Sequence, residues 1–372
     1  MTRIAIVLGT RPEVIKLAPV AARLRGRADV RVISTGQHRE MLDQALQSFG
    51  LAPDVDLDCM RPGQTLNELS ARLIAGLDTA FADACPEWVI VQGDTTTAFC
   101  AALAAFHRGI RVAHVEAGLR TGNLASPFPE EANRSMLARI ATRSFAPTAA
   151  AREHLLREHV SEASIVVTGN TVVDAIESMR RGGALEGLPI AQRFSAGVPR
   201  ILVTCHRREN FGGVMVEICA ALRTLCAAYA GYEWVFPVHL NPAVREPVMR
   251  ELKDVTNLHL IEPVDYASSL YLISRSTLVV TDSGGIQEEA PTFGVPTVVM
   301  RNHTERREGV DAGVSVLAGQ SAASIEAAVR AWLDAPERLA SVRARANPYG
   351  DGRAAERIAG DLLGMPLEDF DG

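Results

Sequence analysis

The sequence predicts an α/β protein built from two Rossmann-like, doubly wound domains facing a cleft. Three observations lead there. Short apolar runs recur that are continuous rather than alternating, the mark of parallel strands covered on both faces. Amphipathic helical stretches separate them, as right-handed crossovers require. A glycine- and proline-containing break with little periodicity, residues 181–199, divides the series in two, and a chain of 372 residues is too long for one ordinary core.

In chain order, strands are expected at residues 3–9, 30–34, 88–92, 112–116, 144–146 and 165–168, with helices at 13–24, 39–49, 65–84, 95–108 and 130–141. After the break, strands are expected at 200–204, 233–236, 258–261, 278–281 and 297–300. The domains are therefore read as 1–180 and 200–350, joined by a linker at 181–199. A final helix in 351–372 is expected to return to the first domain. The favoured ligand site of such a fold is the crevice at the carboxyl ends of the strands.

Composition excludes several classes. A net charge of −6 argues against a broad nucleic-acid surface, so an anionic ligand needs a local basic pocket. No apolar run reaches the ~18 residues of a spanning helix, and the start of the chain reads as a buried strand rather than a signal peptide. A cytoplasmic protein with no membrane partner is expected. The six cysteines show no C-x-x-C spacing and no histidine set has metal-ligand spacing, so no metal site is expected. Walker A, HExxH and GxSxG patterns are absent.

The residues that could carry chemistry fall just after the strands. Val279 to Thr281 run into Asp282-Ser283-Gly284-Gly285 and then a helix, a turn whose glycines let backbone approach a phosphate. Glu288 and Glu289 follow, placed to accept hydrogen bonds from sugar hydroxyls, so a nucleoside diphosphate with its ribose on an acid fits. An ordinary strand-to-helix turn fits equally. After the first strand, Arg11 and Lys16 would offer two cations to a diphosphate, or be solvated surface groups. Asp94, in Gly93-Asp94-Thr95-Thr96-Thr97, reads as a helix cap or as an acid. Glu116 ends an apolar strand, where a carboxylate is costly unless paired or used. Glu130 and Glu131 open a helix, where the dipole favours acids, and at least one of them is expected to serve only that purpose. His206-Arg207-Arg208 forms a cationic lip after residues 200–204.

Eleven ordered segments, among them GTRPEVIKLAP, VQGDTTTAF, HVEAGLRTGN, SPFPEEANR, HRREN, PVHLNP, TDSGGIQEEAP and NPYGDG, resemble the non-hydrolysing UDP-N-acetylglucosamine 2-epimerases across the whole chain. The resemblance implies a GT-B-like fold, a homodimer, and reversible interconversion of UDP-N-acetylglucosamine (UDP-GlcNAc) and UDP-N-acetylmannosamine (UDP-ManNAc) with no cofactor. It also implies that Asp94, Glu116, Glu130 and His206 act at the reacting end with Arg11 and Lys16. Ser283, Gly284, Gly285, Glu289 and Arg306 would hold the nucleotide, with Glu289 on the ribose.

The chain departs from the family pattern at Cys205, where Gly or Ala is expected, and at Arg307, where Pro is expected. Some relatives are activated by a second UDP-GlcNAc. Gln37, Gln44 and His239 match that effector site, but Gly63 stands where activated relatives carry Arg, with Arg61 nearby. Competing readings are a GT-B glycosyltransferase, which would not need three acids together, and a non-catalytic nucleotide-sugar sensor. A third is a 2-epimerase for UDP-2,3-diacetamido-glucuronate, to which Arg307 would add a cation.

Overall fold

The structure is a computed structural model that describes residues 1–36, 39–365 and 367–371. The chain forms two compact units, Met1–Ser178 with Tyr349–Gly372, and Met179–Pro348.

The first unit is a seven-stranded, all-parallel sheet in the order β3-β2-β1-β4-β5-β6-β7. Its strands are β1 (Arg3–Leu8), β2 (Asp29–Ser34), β3 (Val55–Asp56), β4 (Trp88–Gln92), β5 (Arg111–Val115), β6 (Arg143–Ala146) and β7 (Ile165–Val167). Order reverses between β1 and β4, so the loops leaving those two strands diverge and open a crevice at their carboxyl ends. Strand pleating sorts β1 side chains to opposite faces. Ile4, Ile6 and Leu8 pack with Leu17, Val20 and Leu24 of the helix Arg11–Leu24, and Ala5 and Val7 pack with Leu73, Leu77 and Ala101 on the other side. Both faces are thus dry, which explains the unbroken apolar runs. Residues 354–362 form a helix whose Ala355, Ile358, Ala359 and Leu362 complete the first of these cores. Asp174 accepts hydrogen bonds from the free N–H groups of Ala354 (3.2 Å) and Ala355 (2.9 Å) at that helix's start.

The second unit is a six-stranded parallel sheet in the order β10-β9-β8-β11-β12-β13. The strands are β8 (Arg200–Thr204), β9 (Glu233–Pro237), β10 (Leu258–Ile261), β11 (Leu278–Thr281), β12 (Thr297–Val299) and β13 (Ser315–Leu317). Ile201, Val203, Trp234, Phe236 and Val280 meet Leu222 and Trp332 from two covering helices. Here β8 and β11 flank the reversal of strand order.

Three expectations need correction. Residues 181–199 group with the second unit instead of standing apart as a linker. Ile190 is buried, the Ser195 amide donates to Glu233 (3.1 Å), and the Arg200 guanidinium lies 4.7 Å above the Phe194 ring. The short edge strands β3 and β13 were not expected, being two and three residues long. Strand β5 ends at Val115, not at 116: Glu116 takes a left-handed conformation, φ +65°.

Candidate active site

In the first unit, the turn after β1 is built on a buried acid. Glu13 accepts from the backbone N–H groups of Gly9 (2.8 Å) and Thr10 (2.7 Å) and from the hydroxyls of Thr10 (2.8 Å) and Thr95 (2.6 Å). Burial pushes its carboxyl up, and the four hydrogen bonds pull against that. One carboxylate therefore ties the turn carrying Arg11 to the turn carrying Asp94. Gly9 is required at this junction, because a Cβ would sit 2.1 Å from the Thr35 hydroxyl. Arg11 itself is exposed at the helix start.

Lys16 is not a surface cation. It is buried, and its Nζ donates to Glu116 Oε1 at 2.5 Å. The amide of Gln92, the last residue of β4, donates to Glu116 Oε2. The left-handed backbone at Glu116 turns the chain as it leaves β5, and its carboxylate lies beside Gly93, whose Cβ would stand 3.7 Å from Oε2. The energetic expectation for an acid after an apolar strand thus holds: it is paired. Beyond Gly93, Asp94 pairs with Arg134 at 2.6 Å, and its carbonyl accepts from the Asn133 amide (2.8 Å). Thr95, not Asp94, caps the helix Thr96–His107.

The two acids that open the helix Glu130–Ile140 divide their roles. Glu131 is buried, accepts the N–H groups of Thr121 and Gly122 (2.9 Å each) and pairs with Arg134 (2.9 Å), so it is structural. Glu130 holds one carboxylate oxygen, Oε2, buried and without a partner. Beneath Asp94, His114 Nε2 meets the Gly93 carbonyl at 2.7 Å, and burial lowers its pKa to about 4, keeping the ring neutral. Arg11, Lys16, Asp94, Glu116 and Glu130 all lie on segments that follow β1, β4 and β5 or on the helix Glu130–Ile140. Sequence reasoning missed Glu13, Gln92 and Arg134, which hold these groups.

In the second unit, Ser283 caps the short helix Gly284–Glu289, its hydroxyl accepting from the Ile286 N–H at 3.4 Å. Arg306 lies flat on this turn: a Cβ on Gly284 would stand 2.6 Å from its guanidinium carbon. Its Nε donates to Glu288 (2.8 Å), and Nη1 pairs with Glu305. Burial would raise the Glu305 carboxyl, but Arg306 and Arg301 hold it well below the usual carboxylate range. Gly285 is roomier, its nearest neighbours being Glu289 Oε1 and Ser283 Oγ at 3.8 Å, and Glu289 is buried close to both. His206, on the loop after β8, places Nδ1 3.2 Å from Asp282 and stacks on His239 at 6.2 Å between ring centroids.

Of the effector-site residues, Gln37 lies outside the described residues, and Gln44 is exposed on the helix Arg39–Ser48. His239 lies in the second unit, where burial and His206 lower its pKa. Arg61 spends its Nη1 on the Asp58 and Met60 carbonyls (2.7 Å each). Arg307 is exposed and pairs on the surface with Asp311 at 3.4 Å.

Two parallel α/β units, one bearing acids and a buried ammonium at its strand ends and the other a Ser-Gly-Gly turn under an arginine, define the GT-B-like class of α/β proteins. A glycosyltransferase of kitacinnamycin shares that fold at 16% identity, with a TM-score of 0.61. Within the class, the chain belongs to the UDP-N-acetylglucosamine 2-epimerase family, whose profile matches residues 21–363. It is 46% identical to the UDP-N-acetylglucosamine 2-epimerase of Escherichia coli K12 over 366 residues, covering 96% of this chain and 97% of that protein. It is 47% identical to the enzyme of Yersinia pestis, with the same coverage. The Neisseria meningitidis UDP-GlcNAc 2-epimerase, crystallised with UDP-GlcNAc, superposes with a TM-score of 0.90 at 42% identity, over 97% of this chain and 99% of that one.

Proposed function

We propose that this protein inverts C2 of UDP-GlcNAc to give UDP-ManNAc, reversibly, and that it supplies ManNAc units for surface polysaccharide. The observation that carries the reading is the set of family acids in the first unit, two after the strands and one at a helix start: Glu116 held by Lys16 and Gln92, Asp94 held by Arg134, and Glu130 with a buried oxygen that no group of the protein engages.

The chemistry explains why such groups are needed. The C2 hydrogen of an N-acetylhexosamine has no adjacent ring carbonyl, so direct deprotonation is out of reach near neutral pH. As the C1–O bond breaks, its electron pair leaves with the diphosphate and C1 gains oxocarbenium character, which makes the C2 proton acidic. A carboxylate takes that proton, and the C2–H electron pair forms the C1–C2 double bond of 2-acetamidoglucal. Re-addition of the diphosphate oxygen at C1, with a proton delivered to the other face of C2, completes the inversion. Acids are therefore required on both faces of C2, cations at the departing diphosphate, and water must be kept from the glucal. Asp94, Glu116 and Glu130 meet the first demand. Arg11, Lys16 and His206, with the Ser283-Gly284-Gly285 turn and Arg306, meet the second. Glu289 takes the ribose.

The protein acts as a cytoplasmic homodimer on this reading. No helix among the described residues is long and apolar enough to cross a membrane. Phe106 and Met136, exposed on two neighbouring helices of the first unit, offer an apolar surface to a second copy; light scattering of the purified protein tests this.

The deciding experiment is incubation with UDP-GlcNAc in D2O, without added metal or nicotinamide, followed by proton NMR. UDP-ManNAc deuterated at C2 is the expected product. Free ManNAc with UDP would mean a hydrolysing enzyme, and no reaction would overturn the substrate assignment.

A further inference from the structure

The loop that carries His206 is assembled around one buried charge. Asp282, directly after β11 and fully buried, accepts from the backbone N–H groups of His206 (2.9 Å) and Arg207 (2.8 Å), from the Asn210 amide (3.0 Å) and from the Cys205 thiol (3.2 Å). Its other oxygen lies 3.2 Å from His206 Nδ1. All the donors belong to the segment leaving β8, the strand paired with β11. Cys205, unexpected at its position, adds a donor to the same carboxylate. Burial alone would raise the Asp282 carboxyl, but His206 and the loop N–H groups hold it well below the usual carboxylate range, so it stays ionised at any working pH.

An ionised carboxylate only accepts, so the contact with Nδ1 requires the proton to be on Nδ1. Nε2 is then the nitrogen left for a ligand on a half-exposed ring. With Nδ1 protonated, Nε2 can donate to a phosphate oxygen only from the imidazolium, whose charge the carboxylate offsets. His239, the other titratable group against this ring, accepts the Asn241 N–H (3.1 Å) at its own Nδ1, and its lowered pKa leaves it neutral. The charge of Arg207, the next residue, opposes an imidazolium, which leaves Asp282 as the balancing anion.

We propose that Asp282 is the positioning residue of His206: it fixes the Nδ1–H form, turns Nε2 toward the departing diphosphate and balances the imidazolium that donates to it. This rests on the epimerase reading for its diphosphate. The arrangement of the ring does not depend on that reading.

Two measurements test it. Nitrogen-15 NMR of the histidine side chains in the intact wild-type protein, without substrate, should show His206 Nδ1 protonated throughout a pH titration, with Nε2 the nitrogen that titrates. A neutral His206 protonated at Nε2 with a bare Nδ1 would overturn the proposal. Asp282→Asn, accepted only if its melting curve and circular dichroism are native, should lower kcat by roughly 10²–10⁴-fold and move the alkaline limb of the pH profile to lower pH. A folded variant with an unmoved profile would refute the positioning role. If Asp282→Asn does not fold, the NMR result decides alone. Failure of wild-type turnover would instead count against the epimerase reading.

Discussion

Replacing Glu116 with Gln separates its two jobs. The side chain keeps its shape, so the left-handed backbone after β5 is undisturbed, but the negative charge 2.5 Å from Lys16 is gone. Both side chains are less than a tenth exposed, so water cannot substitute for the lost partner. Breaking a buried pair from one side costs about 3–5 kcal/mol in general. Glutamine can still accept one hydrogen bond from Nζ, which should bring the loss to about 1–3 kcal/mol. Turnover should fall as well, through the chemistry and not through unfolding. Loss of a general acid or base costs at least ~100-fold, equivalent to about 2.7 kcal/mol of transition-state stabilisation. The assay is kcat from the D2O reaction, alongside urea unfolding of Glu116→Gln, Lys16→Met and the double variant. The double variant carries no uncompensated charge, so it should be more stable than the sum of the singles predicts, by 1 kcal/mol or more, while remaining inactive. Near-normal turnover in Glu116→Gln would remove this acid from the mechanism. Strictly additive stabilities would show that the Lys16 pair is energetically idle.

Other outcomes are expected. Gly284→Ala should displace the Arg306 guanidinium, since the new methyl would stand 2.6 Å from it, and weaken UDP binding by about tenfold, or ~1.4 kcal/mol, in a calorimetric titration; Gly285→Ala, with 3.8 Å of room, should fold without strain. Glu131→Gln should lower the unfolding midpoint by loosening Thr121, Gly122 and Arg134, whereas Glu130→Gln should leave stability near wild type and reduce turnover. Asp174 has its pKa raised by burial from 3.8 to about 6. Because the unfolded chain ionises first, this group destabilises the fold above pH ~4, by up to about 3 kcal/mol above pH 6. Urea midpoints of wild type should therefore carry a component that rises as pH falls from 7 to 4, and Asp174→Asn should lack it.

Much of the fold was legible because parallel strands buried on both faces leave unbroken apolar runs, as in Trp88–Gln92 and Leu278–Thr281. The edge strands Val55–Asp56 and Ser315–Leu317 were not, since one is two residues long and both are only partly buried, so neither leaves an unbroken apolar run. Glu116 could be read as paired or used from the cost of an acid after an apolar strand. Asp282 bears the same signature after β11, but the Ser-Gly-Gly turn that follows it gives the acid a local explanation. Pairings such as Asp94 with Arg134, 40 positions apart, depend on how β4 and the helix Glu130–Ile140 come together, which local pattern does not encode. Glu13 is the first residue of the helix expected at 13–24, and nothing local shows that its carboxylate reaches Thr95, 82 positions on.

The return of the last helix to the first unit has a consequence for biosynthesis. On the ribosome, residues of the second unit emerge and can fold as a contiguous piece, whereas the first unit's core lacks Ala355, Ile358, Ala359 and Leu362 until residues 354–362 clear the exit tunnel. The nascent first half is thus an aggregation-exposed species for the whole time the second is being translated. A nonsense codon before residue 354 would leave that core without these four side chains for good.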